Sequence, residues 1–208
     1  MISNKPIELA HVTYNHSTWD GAYSDEEIKM LVNYFSTMPT ENASVETSNS
    51  KTKILNSIRT SDISFHEYDN NNDNTKWFFD KTNNLIKVMN DNFYQFDLHG
   101  YDYFQYGEYD GNKKSKYDYH LDMRFGWSND PAVYVQGTRK LSFVLCLSDP
   151  SEYEGGNFLI NLGPSVIEVP QKKGRMIAFP SFIMHKVSEV TSGKRKSIAI
   201  WTTGPKFK

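Results

Sequence analysis

His120 and Asp122 stand two positions apart; His185 follows at the end of Phe179-Pro180-Ser181-Phe182-Ile183-Met184-His185, and Arg195 lies ten positions beyond it. Two imidazoles and one carboxylate brought to a common point are the donor set of a 2-His-1-carboxylate facial triad, which suits the Fe(II) ion. Three protein ligands on one face of an octahedron leave the other positions open, so a cosubstrate and O2 can bind side by side. On an extended strand, residues i and i+2 point to the same face. An HxD pair on a strand therefore offers both side chains to one ion.

HxD alone is a weak signal, and a lone histidine is more often a hydrogen-bonded structural residue than a ligand. The ordered set is stronger: HxD on one strand, a second histidine at the start of another, and a basic residue on the strand after that. Lys194, Arg195 and Lys196 form a basic cluster that reads equally as a solvated loop. If the two lysines face solvent, alternation sends Arg195 inward, where a planar guanidinium can grip a carboxylate with two charge-assisted hydrogen bonds. Tyr109 and Tyr117 are as readily ordinary strand aromatics as pocket residues, and Trp127 reads as a core residue before a stacking platform. Cys146 reads as a small buried hydrophobe.

These side chains need elements to hold them. Ser24 is a good N-cap before Asp25, Glu26 and Glu27, and Ile28, Leu31, Val32 and Phe35 recur at helical spacing until Pro39. A strand-like stretch is expected around 54–63, and 69–74 is a turn-forming Asn/Asp run. Over 75–93 the apolar positions fall on one face of a second helix, capped by Asn74 or Thr75, that packs on a sheet. Beyond it, short apolar runs at 101–109, 117–121, 141–147, 157–161, 166–169, 175–179, 185–187 and 197–202 are separated by turn residues, the texture of a β-sandwich or barrel. The run 139–147 is apolar on both faces and should lie deep in the domain. Gly155-Gly156 and Gly174 mark tight connections.

At 208 residues the chain suits one domain: helical support and flanking strands over 1–95, and a β-rich half over 96–205. A net charge of -2, with both signs interspersed, makes no field that would recruit nucleic acid or an anionic membrane by itself. Cys146 is the single cysteine, which excludes an intramolecular disulfide, and no leader or membrane-length apolar run is present. That pattern suits a reducing cytoplasm.

At these motifs the chain resembles the Fe(II)/2-oxoglutarate-dependent dioxygenases of the prolyl 4-hydroxylase type, especially the bacterial and phage PKHD-type hydroxylases. The resemblance runs over 19–205 and is strongest at Tyr117-Asp118-Tyr119-His120-Leu121-Asp122, the 139–150 block, Tyr153-Glu154-Gly155-Gly156-Asn157-Phe158, Phe179-Pro180-Ser181, His185-Lys186-Val187 and Gly193-Lys194-Arg195. It implies an α+β, β-dominated fold: a double-stranded β-helix, jelly-roll or cupin-like, with N-terminal supporting helices. It implies that His120, Asp122 and His185 bind Fe(II), and that Arg195 holds the distal carboxylate of the cosubstrate 2-oxoglutarate. Tyr109 matches the family tyrosine beside the cosubstrate. The segment 111–116 is longer and more basic than is usual in the family, which puts Tyr106 in competition for that role. Glu189 stands where the family often has proline.

The resemblance further implies a bacterial or phage-infected host cell and consumption of O2, with ascorbate as a reductant. The product is a hydroxylated C–H bond, with a prolyl residue of a protein or peptide the best single substrate. Two alternatives stand beside it: the same chemistry on a free amino acid, other metabolite or nucleobase, and a non-catalytic jelly-roll binding module. In a peptide hydroxylase the loops at 69–74 and 112–116 would flank the mouth; 128–137 is a third loop that could set selectivity.

Overall fold

The computed structural model describes residues 14–43, 45–46, 52–53, 58–69, 71–123 and 138–207. A short strand, β1 (Ser17–Trp19), leads to Ser24, whose hydroxyl accepts from the Glu27 amide while the Glu27 carboxylate accepts from the Ser24 amide. This closed capping box starts α1 (Asp25–Phe35), which buries Ile28, Leu31 and Phe35. Strands β2 (Glu41–Asn42), β3 (Val45–Glu46), β4 (Thr52–Lys53) and β5 (Asp62–His66) follow, then α2 (Lys76–Met89). Thr75 occupies the N-cap position of α2, but its side chain makes no capping bond, and the helix passes into a π-turn over Asn90–Tyr94. The helical segment expected over 75–93 is thus α-helical only to Met89.

The rest is strand: β6 (Gly100–Asp110), β7 (Tyr117–His120), β8 (Thr138–Cys146), β9 (Tyr153–Gly155), β10 (Phe158–Asn161), β11 (Val166–Val169), β12 (Met176–Pro180), β13 (Met184–Val187) and β14 (Val190–Gly204). A major sheet runs β1-β12-β8-β14-β6-β5-β2, with β9 joined to β14, and a minor sheet runs β11-β10-β13-β7. Every pairing is antiparallel. This is the β-dominated jelly-roll expected, with helices supporting one face.

Two cores lie on opposite faces of the major sheet, and strand parity assigns residues to them. Phe104, Tyr106, Leu141, Phe143, Leu145, Met176, Ala178, Ile198 and Ile200 pack under α1 and α2. Their strand neighbours Tyr109, Val144, Cys146, Ile177 and Phe179 face the minor sheet and meet Phe158, Ile160, Val169 and Val187. The central strand β8 is apolar on both faces because both faces are covered, as its sequence implied.

The strand expected around 54–63 lies instead at Asp62–His66, and residues 54–57 fall outside the described ones. Trp127 and the loop 128–137 also lie outside them. The loop 69–74 belongs to the helical side, where Asn72 donates to the Tyr34 hydroxyl of α1. Among the described residues no helix is long and apolar enough to cross a membrane.

Candidate metal and cosubstrate site

His120 on β7 and His185 on β13 sit directly opposite each other in register, with ring centroids 4.2 Å apart. Asp122 lies just beyond the end of β7, where the Ser181 carbonyl accepts from the Asp122 and Met123 amides at 3.1 and 2.9 Å. Strand alternation alone therefore does not aim Asp122; the β12–β13 turn does. Arg139 adds a hydrogen bond to the Asp122 carbonyl at 3.3 Å and is itself paired with Asp102 at 2.6 Å.

Each histidine ring is oriented by backbone. The Nδ1 of His120 lies 2.8 Å from the Asp118 carbonyl, and that of His185 lies 2.9 Å from the Ile183 carbonyl. A carbonyl can only accept, so each Nδ1 carries a hydrogen and each Nε2 is turned to the centre of the site. The two Nε2 atoms face Asp122, at 3.7 Å for His120 and 3.6 Å for His185. One ligand atom from each of the three residues lies within 4.8 Å of the other two. Among the described residues this is the one such cluster.

The surroundings keep these groups in the form a metal needs. Burial, reinforced by His185, pushes the His120 imidazole down to about 3, so it is neutral. Burial pushes the Asp122 carboxyl up, but His185, His120 and Arg139 together outweigh it and hold it below the ordinary carboxylate value. Tyr117 lies flat on His120 with centroids 3.5 Å apart, and the Arg59 guanidinium sits 4.2 Å from the Tyr117 ring centre.

Behind the triad a narrow cavity is lined by residues of both sheets, including Gln105, Tyr109, Tyr117, Arg195, Ser197 and Trp201. Arg195 is 2% exposed, whereas Lys194 points outward to Glu108 and Lys196 is half-buried, so the alternation expected on this strand is present. The guanidinium donates to Ser197 Oγ and Gln171 Oε1, both at 3.1 Å, and its Nε is buried without a partner. A buried charged donor left unpaired is costly, and an acidic ligand end would satisfy it. Three metal-competent donors at one end and a buried guanidinium with one unpaired donor at the other fit Fe(II) and a chelating dicarboxylate.

Tyr109 faces this cavity, its ring centre 5.3 Å from the Arg195 guanidinium carbon. Tyr106 points the other way and stacks on Phe35 in the helical core. Gln105, Ser197 and Trp201 escaped notice in the sequence, though each is separated from Tyr109 or Arg195 by an even number of positions on the same strand. The period of two would have found them.

Residues 104–203 match the family model of the 2OG-Fe(II) oxygenase superfamily. A PKHD-type hydroxylase of Prochlorococcus marinus is 40% identical over 77 residues, covering 37% of this chain and 35% of the relative. Another, from Parvibaculum lavamentivorans, is 35% identical over 83 residues, covering 40% of this chain and 38% of the relative. The matched region thus spans little more than a third of these curated relatives. A prolyl-4-hydroxylase of Pseudomonas putida superposes with a TM-score of 0.68 at 17% identity, over 93% of this chain and 95% of the other. A Trichoplax adhaerens prolyl hydroxylase, in complex with a hypoxia inducible factor oxygen degradation domain peptide fragment, gives 0.69 at 16% identity, over 92% and 84%. The structural likenesses show the fold; the family match over the β-rich half and the PKHD-type relatives show a similarity to 2OG-Fe(II) oxygenases.

Proposed function

We propose, from the match of residues 104–203 to the 2OG-Fe(II) oxygenase superfamily, that this chain is an Fe(II)- and 2-oxoglutarate-dependent dioxygenase that hydroxylates a prolyl residue of a protein or peptide. The observation that carries it is the pairing of His120, Asp122 and His185 with the unfilled Arg195 donor in one cavity. Fe(II), when bound, supplies the O2 chemistry that couples 2-oxoglutarate breakdown to succinate and CO2 with C–H hydroxylation.

The chain's own residues position and shield. His120 and His185 present their Nε2 atoms, Asp122 brings the negative charge, Arg195 holds the distal carboxylate, and the Tyr109 hydroxyl donates to the same ligand. Phe158, Val144 and Val187 line the cavity and keep water from the reacting centre. Residues 1–95 serve as support and 96–205 as the catalytic half of one domain. A free, buried Cys146 suits a reducing cytoplasm.

Support for a prolyl target comes from the PKHD-type relatives and from neighbours that are prolyl hydroxylases, one with a peptide in place. One observation favours the small-substrate alternative: the loop 69–74 packs on α1 and so does not form the groove wall a peptide enzyme would gain from it. A peptide panel incubated with protein, Fe(II), 2-oxoglutarate and ascorbate should yield succinate and a product heavier by one oxygen on proline. Succinate formation with amino acids only would move the assignment to the second reading. Neither succinate nor 2-oxoglutarate binding would leave a non-catalytic module.

A further inference from the structure

We propose that Gln171, in the turn between β11 and β12, is a positioning residue that orients the Arg195 guanidinium for the cosubstrate carboxylate. This deepens the functional reading above and rests on it. Gln171 Nε2 donates to the Val169 carbonyl at 3.2 Å, which fixes the amide with its oxygen inward. That oxygen accepts from Arg195 Nη2 at 3.1 Å and from the Cys146 thiol at 3.4 Å. Ser197 Oγ takes Nη1 on the other side, and Nε is left as a buried donor without a partner. Both Nη atoms are thus held by neutral acceptors. An amide oxygen orients a guanidinium while leaving its charge uncancelled, whereas a carboxylate in the same place would compete with the ligand for it.

The turn that carries Gln171 is clamped. Arg175 donates to the Pro170 carbonyl at 2.6 Å and forms a bidentate pair with Asp20, which Lys172 also approaches at 3.4 Å. Lys173 reaches Asp25 at the start of α1. Gly174, with φ +75°, lies so close to Tyr23 that an added Cβ would stand 2.3 Å from the Tyr23 carbonyl oxygen. The segment just before α1 therefore holds the turn that holds the amide, and the amide holds the arginine.

The test is calorimetric titration of 2-oxoglutarate into Zn(II)-loaded protein, which cannot turn over, for the parent, Gln171→Leu and Gln171→Glu, alongside steady-state kinetics. Gln171→Leu should weaken 2-oxoglutarate binding about ten- to a hundredfold, the loss expected for one hydrogen bond to a charged group. Gln171→Glu should weaken it more, although glutamate nearly matches the shape of glutamine and keeps an oxygen toward Arg195. Zn(II) affinity and kcat at saturating 2-oxoglutarate should stay at parent values, with KM carrying the change. A role in packing alone gives the reverse order, with leucine the more damaging. That order, or parent-like binding by both variants, overturns the proposal and leaves the functional reading standing. A parent that takes up no 2-oxoglutarate overturns both. Should Gln171→Leu not fold, Gln171→Glu decides alone: parent-like binding refutes the role.

Discussion

His120 and His185 each point Nδ1 at the carbonyl two positions upstream, so both rings enter the site already turned with Nε2 inward. Because backbone carbonyls set that orientation, removing one ligand should not disorganise the other two. His120→Ala, Asp122→Ala and His185→Ala are each expected to lose Fe(II) or Zn(II) uptake by calorimetry while keeping the circular dichroism of the parent. Arg195→Ala should cost about 2 to 5 kcal/mol of 2-oxoglutarate binding, roughly 30-fold or more in affinity, with metal uptake retained. Lys194→Ala, which removes only an exposed pair with Glu108 and Asp110, should bind the cosubstrate like the parent. The candidate donor set and Arg195 were legible as residue types and spacings. The choice between Tyr109 and Tyr106 was not, because each belongs to a buried face of β6 and only the packing says which face holds the site.

At the scale of elements, the Gly155-Gly156 connection shows why a tight turn mattered. Both residues have positive φ, and a Cβ on Gly156 would lie 2.9 Å from the Arg195 Cδ and from Val190 Cγ2. Gly156→Ala should therefore lose about 1 to 3 kcal/mol in urea unfolding through backbone strain and also weaken 2-oxoglutarate binding, since Arg195 must shift. Parent-like cosubstrate affinity in that variant would mean that Val190 or the backbone yields instead. Strands β6, β7, β8, β10, β11, β12 and β13 were readable because each short apolar run is bounded by turn residues, whereas the largely exposed β9 was not. β14 extends back to Val190, well before the expected 197, because its polar N-terminal part pairs with β9 and the end of β6. Such pairing leaves no apolar trace. The strand at Asp62–His66 was placed too early for a related reason: as the next-to-last strand of its sheet it carries Asp62, Ser64 and His66 among its apolar residues.

For the whole molecule, three layers divide the labour: helices on the back of the major sheet, the site between major and minor sheets. Phe143→Ala, fully buried on the helical face, should cost about 3 to 5 kcal/mol of stability yet leave the cosubstrate affinity of the folded protein intact. Asp20 ties the N-terminal segment to the β11–β12 turn, and the Arg175 hydrogen bond holds its carboxyl at about 2, below its ordinary 3.8. A depressed folded-state value contributes stability that is present above 3.8 and is lost as pH falls through 2. Parent and Asp20→Asn should accordingly differ in acid unfolding at pH 5 and converge near pH 2; the gap should be small, since the pair is exposed. By itself the sequence determined the chemistry on offer and the β-dominated architecture, because ligand types, alternation and turn residues are local properties of the chain. The tertiary structure alone decided which face of each doubly buried strand lines the candidate site, that Ser181 rather than strand alternation aims Asp122, and that Gln171 reaches Arg195. Those depend on distant segments meeting across two sheets, and no local pattern encodes that meeting.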